Sequence, residues 1–122
     1  MLNFTVDPRL EESEPFTKRT FRVFREKLPK ASFGTHAGLT VFLGYLLDQS
    51  GRHAGVERWF RCTQESVETD LGLVPPTQKR LLELLERVGY IEIQHIGKAA
   101  PARYLRANLD AIGHDLLAAP SR

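Results

Sequence analysis

Residues 63–110 read TQESVETDLGLVPPTQKRLLELLERVGYIEIQHIGKAAPARYLRANLD, and the punctuation of this stretch sets the order of its elements. Thr63 carries a hydroxyl able to accept an N–H of a first helical turn. Gln64, Glu65 and Asp70 suit a helix or its surface, and Val67 and Leu71 fall on one face of it. Gly72 stops this helix, because positive φ just past the last turn is least costly for glycine. Leu73 and Val74 make an apolar turn, after which Pro75 and Pro76 restart a helix where a missing N–H costs nothing. In that second helix Leu81, Leu82, Leu85 and Val88 form an apolar stripe, while Lys79, Arg80, Glu83, Glu86 and Arg87 lie off it. Gly89 ends the helix. Tyr90 to Ile96 then reads as a strand, Arg103 to Asn108 as its return, and Gly97 to Ala102 as the tip between them.

Upstream, Thr35 to Gln49 predicts another helix with Leu39, Phe42, Leu43, Leu46 and Leu47 on a broad apolar face. Asp48 to Gly55 reads as a polar loop, and Arg58 to Cys62 as a short strand whose Trp59 and Phe60 would pair with the hairpin. The expected fold class is mainly α with a small antiparallel β-sheet. Flanking this domain at 34–110 is an N-terminal arm at 1–33. Its Asp-Pro and Glu-Pro steps favour extended chain, with an edge strand at Asn3 to Val6. Within the arm, Phe21, Phe24 and Leu28 suit a helix over 16–28, while Phe21 and Val23 suit a strand; the helix, ending before Pro29, is the reading adopted. At the other end, 111–122 reads as a tail or a short helix, in which Ala111 to Leu117 gives only a weak helical pattern, a type of element that often pairs between the subunits of a homodimer.

The chain has 122 residues, 42% of them hydrophobic, which suffices for one domain with a modest core. A net charge of +2 permits nucleic-acid binding without requiring it. Its distribution is uneven. Asp7, Glu11, Glu12 and Glu14 face only Arg9 in the first fifteen residues, whereas Lys18, Arg19, Arg22, Arg25, Lys27 and Lys30 face only Glu26 in the next segment. The lone Cys62 excludes an intramolecular disulfide and reads as a small buried hydrophobe in a reducing, cytoplasmic setting. No apolar run is long enough for a bilayer, so no membrane partner is expected.

The helix-turn-helix and hairpin, carried by Thr63-Gln64-Glu65, Asp70-Leu71-Gly72-Leu73, Thr77 with Leu81, Leu82 and Leu85, Gly89-Tyr90-Ile91 and Arg103-Tyr104-Leu105, resemble the winged helix-turn-helix superfamily of bacterial and phage DNA-binding proteins. The resemblance spans roughly residues 39–110 and implies a three-helix core with a β-hairpin wing. The chain departs from the family at two places. Val74, Pro75 and Pro76 stand where a polar cap and base-reaching side chains are common, and prolines can neither hydrogen-bond a base nor donate to a phosphate. Gln78 stands where the family usually buries an aliphatic residue. It either turns outward to read adenine or lies partly buried with its amide bonded to nearby backbone.

The resemblance implies a non-enzymatic protein that binds double-stranded DNA, acting as a small transcription regulator. Thr77, Gln78, Lys79 and Arg80 would lie at the major groove, and His95, Lys98, Arg103 and Arg106 on the wing beside the flanking backbone. It fits a phage or plasmid replication-initiation or accessory factor equally well. The competing expectation is a winged helix that docks on a replication or transcription protein, because Pro75, Pro76, Glu83 and Glu86 weaken the usual reading head. Catalysis has little support in the residues. His36, His53, His95 and His114 are scattered, none has metal-ligand spacing with Cys62, and no phosphate loop or nucleophile elbow is present, so no cofactor or metal is expected. Asp48, Glu57 and His53 read as a solvated loop.

Overall fold

The computed structural model describes residues 15–98 and 102–116, in which five α-helices surround one face of a three-stranded antiparallel sheet. The elements run α1 (Phe16–Lys27), α2 (Phe33–His53), a single 3₁₀ turn (Val56–Arg58), β1 (Phe60–Arg61), α3 (Gln64–Leu71), α4 (Pro75–Arg87), β2 (Ile91–Ile96), β3 (Ala102–Ala107) and α5 (Leu109–Leu116). The edge strand expected at 3–6, the acids of the arm and the last residues of the tail lie outside the described residues, as does most of the hairpin tip.

Local chemistry explains most of the boundaries. Ser32 caps α2 by accepting the Thr35 N–H at 3.1 Å, so that helix begins before the expected Thr35. It also runs past Gln49 into residues expected as loop. The extra turn is held by the Ala54 N–H on the Ser50 carbonyl and by an Arg52–Asp48 pair at 2.9 Å one turn apart. This lengthening leaves little chain before the sheet. Glu57 and Arg58 therefore adopt positive φ of 55° and 71°, and β1 shrinks to two residues instead of five.

Side-chain alternation divides the hairpin cleanly. Ile91 pairs with Ala107, Ile93 with Leu105 and His95 with Arg103, and this face turns toward the helices; Glu92 with Arg106 and Gln94 with Tyr104 turn outward. Strand β3 is central. Phe60 of β1 lies opposite Leu105 and adds to the inner face. Beneath the sheet, Leu39, Phe42, Leu43 and Leu46 of α2 meet Leu81, Leu82 and Leu85 of α4 in one buried cluster. Helices α2 and α4 approach closely at Gly38, where an added Cβ would come within 3.3 Å of Leu81.

Both flanking helices belong to this same core. Val23 and Phe24 of α1 and Ile112 and Leu116 of α5 are buried in it, and Phe24 meets Tyr90 with ring centroids 5.8 Å apart. Helix α5 is also better anchored than its weak pattern implied. Asn108 accepts the Ala111 N–H and donates to the Gly89 carbonyl, which joins the helix start to the end of α4. At its far end Asp115 accepts from the Tyr90 hydroxyl at 2.7 Å and pairs with Lys27 at 3.2 Å, while Arg19 donates to the Leu116 carbonyl at 2.6 Å.

Burial by itself would raise the Asp115 pKa, but the hydrogen bonds from Tyr90, His114 and Lys27 outweigh it and hold the carboxyl below its ordinary value. The stability this supplies is present above the unfolded carboxylate's pKa of roughly 4 and is lost as pH falls through the lower folded value. Asp115→Asn is accordingly expected to lower stability at neutral pH by about 1 kcal/mol and to lose much of that deficit at pH 3. Urea titrations of both proteins at the two pH values check this; an equal deficit at both would refute the ionic role.

Candidate nucleic-acid interface

Helices α3 and α4 are joined by three residues whose geometry follows from their chemistry. Thr63 caps α3 by accepting the Ser66 N–H at 3.0 Å, and Gly72 ends it in the left-handed region at φ 74°. Leu73 is half-buried, Val74 stays largely in solvent, and Pro75 takes the first position of α4.

Gln78 is fully buried. Its Nε2 donates to the Leu73 carbonyl at 2.7 Å and the Gln64 carbonyl at 3.0 Å, so the amide closes the turn between the two helices. Its Oε1 accepts from Arg103 Nη2 at 3.1 Å, and Arg103 Nε donates to the Cys62 carbonyl at 2.8 Å. One network thus ties α3, the turn, α4, the end of β1 and the hairpin. Cys62 belongs to it: burial pushes its thiol pKa up, although Arg103 beside it acts in the opposite direction. Burial of this kind disfavours the thiolate, the reactive form.

This arrangement corrects the placement expected for three residues. Gln78 does not face solvent, and of its two alternatives the backbone-bonded amide is the one observed; Arg103 is largely buried in the groove wall, with its Nε and Nη2 committed to the fold. Arg106 projects from the outer sheet face, away from α4. There it sits 4.7 Å above the Trp59 ring and pairs with Glu92 at 2.7 Å and Glu57 at 3.9 Å. The bond to Glu92 raises its pKa.

The remaining residues gather differently. Between α4 and the inner face of the hairpin lies an open groove of about 430 Å³, lined by Lys79, Glu83 and Glu86 from the helix, His95 and Arg103 from the strands, and Gln64. Helix and hairpin therefore flank the same opening. Lys79 is exposed and pairs with Glu83 at 3.3 Å. Arg80 and Lys98 are exposed and make no ion pair among the described residues, and Thr77 is half-buried at the first turn of α4.

Glu83 and Glu86, expected to place negative charge near the second helix of the pair, line the groove itself. One feature of this groove escaped sequence reasoning. Arg61 lies near its end, on a strand whose register opposite Tyr104 no local pattern could supply. Among the described residues there is no group of His, Cys, Asp or Glu side chains arranged to hold a metal, and no helix long and apolar enough to cross a membrane. Comparison with protein-family models, curated proteins and solved structures gave no significant match.

Proposed function

We propose that the chain is a winged helix-turn-helix protein that binds double-stranded DNA without catalysing a reaction. The observation that supports this most is the shared groove. Helix α4 contributes Lys79 and the hairpin His95 to its lining, and exposed Arg80 and Lys98 lie on the same two elements outside it. In this reading α4 is the helix that enters the major groove, with Thr77, Lys79 and Arg80 toward the bases, and Lys98 meets flanking phosphates. Its reading head is small. Pro75 and Pro76 present no donors, Gln78 is committed inward, and Lys79 is shared with Glu83, so Arg80 is the best-placed side chain for a bidentate contact with guanine.

The biological role that fits is a small transcription regulator, and a replication-initiation or accessory role uses the same surface. Selection of bound fragments from random duplex DNA tests the reading. Enrichment of a defined site is expected, with promoter-like or origin-like repeats separating the two roles. A second reading is favoured by Glu83 and Glu86, whose charges lower the cationic potential of the groove: a winged helix that docks on a basic protein surface, of a replication or transcription factor or of its own copy. Failure to retard any duplex at micromolar protein and low salt would decide for this second reading.

A further inference from the structure

Helices α1 and α2 border a hollow of about 680 Å³ whose lining is mostly apolar. Phe21, Pro29 and Phe33 supply it, and buried His36, beside them, spends one ring nitrogen on the Leu28 carbonyl at 2.7 Å. Phe33 meets Phe21 edge-on with ring centroids 5.1 Å apart, yet it remains 73% exposed. It also begins a stripe. Phe33, Ala37 and Val41 follow one another at four-residue spacing on α2, Val41 is 55% exposed, and Phe16 of α1, 40% exposed, lies beside Gly44 one turn further on. An apolar track thus leads from the start of α1 to the hollow, and apolar surface of this kind is stabilised by a cover.

The charge beside the track is positive. Arg19 and Lys27 of α1 turn toward α5, to the Leu116 carbonyl and Asp115, whereas Arg22 and Arg25 line the hollow, with Glu26 as the single acid there. A cover must therefore combine apolar side chains with carboxylates. A second copy of this same face does not, because it would set Arg22 and Arg25 against their own counterparts.

The residues before Pro15 have the required chemistry. Asp7, Glu11, Glu12 and Glu14 stand there against Arg9 alone, interspersed with Leu2, Phe4, Val6 and Leu10. They are also tethered within reach. A helix rises 1.5 Å per residue, so Phe21 and Arg25 lie roughly 9 and 15 Å along α1 from Pro15. The five steps back from Pro15 to Leu10 span about 17 Å when extended. A tether this short gives roughly millimolar effective concentration, enough to populate a contact that would be weak between separate molecules.

We propose that the acidic arm docks back on this track within its own chain, with Leu10 against Phe21 and Phe33 and the carboxylates of Glu11 and Glu12 on Arg22 and Arg25. The docked arm covers the apolar track and offsets the charge of α1. The inference is independent of the DNA-binding reading, since it invokes neither α4 nor the hairpin.

Trypsin cleavage after Arg9, followed by mass in the full chain, reads whether the arm is seated. Arg22→Glu/Arg25→Glu leaves the sequence around this bond untouched, so it is expected to speed the cut about 10-fold as the unseated population grows. Leu10→Ser, remote from α2 in sequence, should shift the amide resonances of Phe33 and His36, and it keeps the test open should the α1 variant unfold. Adding Glu11→Lys and Glu12→Lys to the Arg22→Glu/Arg25→Glu chain should return both resonances toward their parent positions. In a mixture of isotope-labelled and unlabelled chains, nuclear Overhauser contacts between the Leu10 methyls and the Phe33 ring are expected within one chain. Contacts found only between labelled and unlabelled chains would give the hollow to a second copy's arm and overturn the proposal. An unchanged cleavage rate, or Phe33 and His36 resonances unmoved by Leu10→Ser, would overturn it as well.

Discussion

Gln78→Ala is expected to destabilise the protein by about 3 kcal/mol and to lower its melting temperature by roughly 10–15 °C, a large share of a small domain's stability. The amide bonds two carbonyls and one buried guanidinium, so its removal strands the Leu73 oxygen, takes a second bond from the Gln64 oxygen and half of Arg103's support, and opens a void. An isosteric apolar residue would not rescue it, because Leu at this position satisfies none of the three. Nor would Glu, which could pair with Arg103 but would turn a carboxylate toward two carbonyl oxygens. Urea unfolding of Gln78→Ala, Gln78→Leu and Gln78→Glu checks the account; a loss below about 1 kcal/mol in all three would show that the network contributes little.

The second large effect concerns binding. Replacing Lys79, Arg80 and Lys98 together by Ala is expected to weaken a selected duplex by roughly 100-fold at low salt and to flatten the slope of log K against log salt concentration by about 0.9, for the one phosphate neutralisation lost with Lys98. All three side chains are exposed, so each substitution should change stability by no more than about 0.5 kcal/mol. Glu83→Gln should act in the opposite sense, since it releases Lys79 from its 3.3 Å partner and removes a negative charge from the groove. Fluorescence anisotropy at several salt concentrations measures both. If the triple variant binds like the parent, the docking through α4 and the hairpin is wrong.

How far the chain could be read without coordinates depended on whether a signal was local. Thr63, Gly72 and Gly89 each act on the turn beside them, and the caps and left-handed stops they imply occur where expected. The stripe Leu81, Leu82 and Leu85 is likewise buried as its spacing requires. Register is different. Arg103 and Arg106 look alike in sequence, yet an odd offset of three residues along a strand puts one under the sheet with Gln78 and the other above it with Glu92.

Gln78 could not be resolved by pattern because its partners lie 5, 14 and 25 residues away. The extension of α2 was missed for a related reason. Ser50 and Gly51 are poor helix residues, but the pairing of Arg52 with Asp48 and the burial of Ser50 outweigh propensity there. Among the eight residues expected at DNA, the structure brings Lys79, His95 and Arg103 to one groove, leaves Arg80, Lys98 and Thr77 outside its lining, and sets Gln78 and Arg106 elsewhere.

The clasp between the first and last helices has a consequence for how the chain acquires its shape. Arg19 meets the Leu116 carbonyl across 97 positions of sequence, and Lys27 reaches Asp115 from the same helix. Helix α1 is synthesised before α5, so it must wait, with Phe24 lacking part of its final packing, until every element between them has emerged from the ribosome. Closing so long a loop is a late and entropically demanding event, which makes docking of α5 the step that locks the other elements in place.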